Sequence, residues 1–243
     1  MYVSHRLLKK PSRGAILWRY MDFTKFLALL ETQELHLTQI ARFDDPFEGH
    51  PPRMVVEVHR AMPFGLSDKQ YEKLGIEINE DLKSFRNSRN TIAASCWHLN
   101  EVESAAMWSL YLRSGEGIAL KTTFGRLVAS LRGSLVGVHG ALIEYVDFES
   151  FFPVHRDPLV WATYKRESFE HEQEFRILAK IDSTSPGVAV KVELSKLIKA
   201  VYIAPTVPKW IGSIVEKLLL RYELDCPVIQ SSLDEAPMYY GNT

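Results

Sequence analysis

The stretch Glu172-Gln173-Glu174-Phe175-Arg176-Ile177-Leu178-Ala179-Lys180-Ile181 sets two carboxylates and a guanidinium at alternate positions and runs straight into an apolar segment. Side chains along a strand alternate between its two faces, so an extended reading sends Glu172, Glu174 and Arg176 off the same face. Two uses of that face stay open. The carboxylates could stabilise a developing positive charge or hold a hydroxyl while Arg176 orients them or meets a phosphate. Alternatively the face is a solvated strand edge whose charges pair with one another.

Outward from this strand, the chain mixes strands and helices without strict alternation. Ile16–Tyr20 reads as a strand, followed by a helix that Asp22 caps and whose apolar residues Phe23, Phe26, Leu27 and Leu30 follow helical spacing. Further strands are expected at Leu35–Gln39, Thr91–Trp97, Ile118–Phe124, Leu135–Val138, Ala141–Phe148, Phe175–Ile181, Ala189–Leu194 and Ala200–Ala204. Helices are expected over Glu103–Arg113, from Leu159 toward His171, and from Pro208 to Tyr222, with Gly115 and Gly117 turning the chain after the first of these. Ser67–Arg86 is charged with spaced apolar residues, and residues 63–88 read as a peripheral helical insertion, with Gly75 weighing against one uninterrupted helix. The expectation is one α+β domain over residues 1–243, with a mixed, mostly antiparallel sheet and flanking helices.

Composition narrows the function classes. With 46% hydrophobic and 11% aromatic residues among 243, the chain has material for a core. A net charge of −1, from 29 basic and 30 acidic residues, argues against a surface built throughout to neutralise nucleic-acid phosphates. Two cysteines, Cys96 and Cys226, are too few for a disulfide framework and have no CxxC spacing. Pro11-Ser12-Arg13-Gly14 follows the charged first residues where a signal peptide would turn apolar, and no run of about 18 apolar residues occurs, so a cytoplasmic protein with no membrane association is expected.

Common motifs are missing. The chain has no GxxxxGK[ST] phosphate loop and no GxSxG elbow, and Gly115-Glu116-Gly117 lacks the third glycine of a dinucleotide fingerprint. His171-Glu172 starts like HExxH, but Phe175 stands where the second histidine belongs, so no metal is expected there. Asp44, Asp45 and Glu48 gather three acids on one loop; this is either a functional loop or a turn in which an aspartate bonds its own backbone beside Pro46. Ser104, Trp108 and Tyr111 share a helix face, which suits either a surface for stacking a nicotinamide or nucleobase ring or ordinary core packing. Arg19 lies in an otherwise apolar strand, either to meet an anion or as an edge residue whose stem covers apolar surface.

Together these landmarks resemble a widespread bacterial family of unknown function. The matching residues are Arg19-Tyr20, Asp45-Pro46-Phe47-Glu48-Gly49, Met107-Trp108-Ser109-Leu110-Tyr111 with Gly117, Tyr164-Lys165, and Glu172-Gln173-Glu174-Phe175-Arg176. Asp44 departs from that pattern, where asparagine is usual. The order of parts also looks like the ADP-ribosyltransferase fold. That resemblance implies NAD as the cofactor or substrate, Glu174 as the catalytic carboxylate with Glu172 and Arg176 beside it, Arg19 and Tyr20 at the ribose or phosphate, Trp108 or Tyr111 at the nicotinamide, and Asp45 and Glu48 on a substrate loop. The partner would be a small-molecule nucleotide, with a protein, a nucleic acid or water as acceptor. A non-catalytic recognition module of a bacterial defence or toxin system remains a rival. So does a metal-dependent phosphodiesterase built from Asp44, Asp45 and Glu48 with Glu172 or Glu174, which would need acids from two distant segments to converge.

Overall fold

The computed structural model describes residues 1–61, 67–111, 116–153, 155 and 157–235. In chain order the elements are β1 (Ile16–Asp22), α1 (Phe23–Thr32), β2 (Glu34–Gln39), α2 (Arg53–Arg60), α3 (Asp68–Thr91), β3 (Ile92–Leu99), α4 (Ala105–Tyr111), β4 (Gly117–Thr123), α5 (Phe124–Ser130), β5 (His139–Leu142) and β6 (Glu144–Val146). They continue with α6 (Pro158–Trp161), β7 (Tyr164–Arg166), β8 (Glu174–Lys180), β9 (Gly187–Lys191), α7 (Leu194–Leu197), β10 (Ala200–Ile203), α8 (Lys209–Arg221) and β11 (Val228–Gln230). The class is α+β, with mostly antiparallel strand pairing.

The chain divides into two compact units, each assembled from three segments. The first comprises Met1–Lys10, His36–Cys96 and Val136–Val190, and the second Pro11–Leu35, Trp97–Leu135 and Lys191–Thr243.

In the second unit β1 runs between two antiparallel neighbours, with Trp18 opposite His98 of β3 on one side and Lys121 of β4 on the other. Arg19 therefore belongs to an interior strand and is not the edge arginine that one sequence reading allowed. β4 pairs antiparallel with β10, and β11 joins β10 in parallel. β1 buries Leu17, Trp18, Tyr20 and Met21, and Asp22 caps α1 by accepting from the Lys25 N–H at 2.8 Å. Of the residues its helical spacing aligns, α1 buries Phe26 and Leu30, with Leu29 beside them, and leaves Phe23 and Leu27 half-buried.

In the first unit β8 pairs antiparallel with β5, which puts Ala141 opposite Arg176, and it also pairs with β3. The end of β2 lies against β3, with Thr38 opposite Ala94. β6 and β7 form a short parallel pair in which Tyr145 faces Lys165. Ile40, Val55, Ile92, Ala141, Trp161 and Leu178 belong to one buried cluster here.

Several expectations change. α3 continues through Gly75 as one helix, opened by a capping box between Ser67 and Gln70, because a helix of 24 residues tolerates a single glycine. The first residues of the expected insertion, 63–66, lie outside the described residues, as does Gly115. Leu135 is fully exposed and Leu135–Val138 is not a strand; after a turn at Leu131–Gly133, Val138 forms only an isolated bridge to Tyr2, and the strand β5 begins at His139. The strand expected over Ala141–Phe148 breaks at Ile143 into β5 and β6. The helix expected from Leu159 toward His171 stops at Trp161 and gives way to strand β7 and a 3-10 turn over Glu167–Glu172. The apolar run Leu159–Ala162 fits one buried turn of helix, and pairing with β6 outweighs helical propensity beyond it.

Candidate functional site

The opening stretch is not extended throughout. Gln173 adopts a left-handed conformation with φ of 39°, so Glu172 ends the 3-10 turn and the strand starts only at Glu174. Glu174 and Arg176 share one face of β8, as alternation requires, while Glu172 reaches the same group from outside the strand. The solvated-edge reading fails here: the Glu174 and Arg176 side chains are 3% and 0% exposed.

Arg176 is the centre of this group. Its Nε donates to Glu174 Oε1 at 2.6 Å and its Nη2 to Glu174 Oε2 at 2.8 Å, the two-pronged geometry that suits guanidinium and carboxylate. Nη2 also donates to Glu48 Oε2, and Nη1 donates to the Ala162 carbonyl at 3.0 Å. Glu48 arrives from the acidic loop, where Gly49 holds a positive φ of 74° that lets the chain turn back after it. A second cation, Lys165 on β7, sets its Nζ 2.7 Å from Glu172, 3.2 Å from Glu174 and 3.4 Å from Glu48. Three carboxylates thus meet two cations, leaving one negative charge in excess.

Electrostatics follow from this crowding. Burial alone would raise the Glu174 pKa, but the charges of Arg176 and Lys165 outweigh it and hold the carboxyl at about 2. Burial likewise works against the Lys165 ammonium, and the surrounding carboxylates, Glu174 foremost, keep it charged to higher pH than usual. For Glu172 burial wins over the attraction of Lys165, and its pKa lies above the ordinary carboxylate value. The Cys96 thiol donates toward Glu174; burial and the Glu174 charge push its pKa well up, so it is no thiolate nucleophile.

Asp45 bonds its own turn, accepting from the Phe47 N–H at 3.0 Å, and also pairs with Arg166 Nη2 at 3.0 Å. The turn reading of the loop holds for Asp45, while Glu48 joins the buried group. Among the described residues no group of three or more His, Cys, Asp or Glu could hold a metal ion. The phosphodiesterase reading needed distant acids to converge, and Glu48 does converge with Glu172 and Glu174. The space between their carboxylates is taken by the cations of Lys165 and Arg176.

The aromatic candidates belong to the second unit. Tyr20 of β1 stacks on Trp18 and on Tyr111 of α4, with centroids 6.4 and 6.5 Å apart, and meets the Trp108 ring edge-on at 4.9 Å. The Tyr20 hydroxyl accepts from the Ser104 N–H at 2.8 Å, fixing the start of α4. Trp108 is 2% exposed and its indole donates to Glu103 at 2.9 Å, so it is a packing residue, whereas Tyr111 is 44% exposed. Arg19 leaves the opposite face of β1 from Tyr20 and lies over the Trp97 ring at 5.6 Å. The structure thus brings Tyr20, Trp108 and Tyr111 together, with Arg19 on the other face, and in the first unit gathers Glu48, Glu172, Glu174 and Arg176.

Lys165 and Tyr145 were not among the expected site residues. The Tyr145 hydroxyl accepts from the Glu174 N–H at 2.8 Å, and burial raises its pKa. Lys165 was legible as half of the Tyr164-Lys165 pair; a lone tyrosine such as Tyr145 carries no local signal.

No protein-family model matches the chain, and no curated protein does. The chain matches DarT of Thermus sp. 2.9 in complex with ADP-ribosylated single-stranded DNA at a TM-score of 0.42 and 10% identity, over 92% of this chain and 97% of that one. The same protein in complex with carba-NAD+ matches at 0.41 and 11%, over 91% and 96%. The likeness is coarse and assigns no activity to this chain. No helix among the described residues is long and apolar enough to cross a membrane.

Proposed function

We propose that this chain binds NAD and acts at its nicotinamide–ribosyl bond, passing the ADP-ribosyl group to water, a protein or a nucleic acid. One observation carries the reading: a partly exposed carboxylate, Glu172, fixed at 2.7 Å by a buried ammonium within a group of net negative charge. As the C1′–N bond breaks, its electron pair leaves with the ring nitrogen and neutral nicotinamide departs. Positive charge then develops at C1′ and the ring oxygen, where a fixed carboxylate lowers the barrier. The acceptor oxygen bonds to C1′ and its proton is released to solvent.

The test is to incubate the protein with NAD and quantify nicotinamide. Release by the wild type, and none by a folded Glu172→Gln/Glu174→Gln double variant, is the expected result; equal release by both would overturn the reading. Adding single-stranded DNA or protein separates transfer from hydrolysis.

A second reading, a non-catalytic ligand module, is favoured by the complete burial of Arg176. Under it NAD or another nucleotide raises the melting temperature through binding, with no turnover.

A further inference from the structure

We infer that Arg166 binds a phosphate group of the substrate beside the buried charge group, with Asp45, Phe47 and Phe169 holding its guanidinium in place. The inference deepens the NAD reading above, and rests on it, by naming the residue that takes the pyrophosphate. Exposure separates the three cations of β7 and β8. The Lys165 and Arg176 side chains are 6% and 0% exposed and are enclosed by carboxylates, whereas Arg166 is 38% exposed. Arg176, the first candidate for a phosphate on sequence, is already spent on Glu174, Glu48 and the Ala162 carbonyl.

The Arg166 guanidinium is restrained but not used up. Its Nε donates to Asp45 Oδ2 at 3.4 Å and its Nη2 lies 3.0 Å from Asp45 Oδ1, so one edge is turned to a carboxylate that is itself 2% exposed. The Phe47 ring lies 4.5 Å from the guanidinium and the Phe169 ring 5.3 Å. Nη1 has no acceptor among the described residues. A held guanidinium with an unused pair of N–H donors suits a phosphate oxygen, and it loses little side-chain freedom on binding. The Phe169 ring also lies 4.9 Å from the Lys165 ammonium, which sets Arg166 next to the carboxylate group. In NAD one ribose separates the C1′–N bond from the nearest phosphate. A cation for that phosphate therefore belongs beside the carboxylates that face C1′, and not among them. Because the neighbouring group is net negative, the phosphate is held by directed bonds to Arg166 and not by a general positive field. A backbone phosphate of a nucleic-acid acceptor offers the same oxygens.

The experiment titrates ADP-ribose, and separately a single-stranded oligonucleotide, into the wild type, Arg166→Lys and Asp45→Asn/Arg166→Gln by calorimetry, with folding followed by circular dichroism. Nicotinamide release from NAD is measured beside release from nicotinamide riboside, which carries no phosphate. Arg166→Lys keeps the charge that Asp45 needs, so an arginine present only to neutralise Asp45 is replaceable by it. The expected result is instead a loss of ADP-ribose affinity of about 10-fold or more. KM for NAD should rise by a similar factor with kcat little changed, and KM for nicotinamide riboside should stay as it is. A loss confined to the oligonucleotide assigns the phosphate to the acceptor. If Arg166→Lys fails to fold, the double variant, which removes both charges together, decides the matter. Wild-type affinity for both probes in a folded variant overturns the assignment and leaves the NAD reading standing, as does an equal rise in KM for both substrates. A wild type that binds neither probe also overturns it. A wild type that releases no nicotinamide, but whose ADP-ribose affinity falls on Arg166→Lys, overturns the NAD reading and keeps the phosphate site.

Discussion

The guanidinium of Arg176 closes a two-pronged hydrogen bond on the Glu174 carboxylate, and both side chains are shut off from solvent. Removing one partner of such a pair strands the other charge in a medium that solvates it poorly. Arg176→Ala is expected to cost about 3–5 kcal/mol in denaturant unfolding. Arg176→Lys keeps the charge without the fork and should fall between. A loss under about 1 kcal/mol for Arg176→Ala would show that the group is not the unit's electrostatic anchor.

Acid should unfold the protein through Glu174. Burial opposes its ionisation, but Arg176 and Lys165 hold it at about 2 in the folded state, below the ordinary 4.5. A depressed folded-state pKa contributes stability that is full above the unfolded value and is lost as pH falls from about 4.5 toward 2. Urea midpoints measured across that window should drop steeply for the wild type and more shallowly for Glu174→Gln, which at neutral pH should be the less stable of the two.

Glu172 has the opposite sign. Burial raises its pKa by more than Lys165 lowers it, so the ionised form opposes folding. That penalty is absent below the ordinary carboxylate value and is complete once pH exceeds the folded-state value. Glu172→Gln should therefore melt above the wild type at neutral pH and lose this advantage in acid. A lower melting temperature at neutral pH would count against a strained, functional Glu172.

Gly49 makes a backbone prediction. A Cβ there would stand 3.0 Å from Ile40 Cγ2 and 3.1 Å from Arg89 Cγ, at a φ of +74°. Left-handed backbone alone costs an L-residue about 1–2 kcal/mol, so Gly49→Ala should destabilise by at least that. Gly14→Ala, where a Cβ meets nothing within 4 Å, is the control and should be near neutral.

The aromatic pair separates support from contact. Tyr20→Phe removes the acceptor for the Ser104 N–H and is expected to cost about 1 kcal/mol. Tyr111→Ala truncates an exposed ring and should change stability little.

What could be read from sequence was local. β1 follows from its short apolar run and α1 from helical spacing and the Asp22 cap, and the apolar run after Arg176 marks β8. The turn at Gln173 escaped because a non-glycine residue with positive φ leaves no trace in composition, and it took Glu172 off the strand. Lys165 lay within a segment read as helix, where only pairing with β6 reveals a strand. That Glu48 belongs to this group and not merely to a turn depends on Arg176, which no local pattern connects to it.

Glu48 precedes Arg176 by 128 residues in the chain. At synthesis rates of about 5–20 residues per second, Glu48 is made roughly 6–25 s before its guanidinium partner exists. Until Lys165 and then Arg176 emerge, the chain cannot bury the acid without leaving it unpaired, so the buried group around Glu48 is complete only once β8 has left the ribosome. The charge pair thus acts as a checkpoint on the order of assembly: it withholds burial from a nascent chain that does not yet contain Arg176.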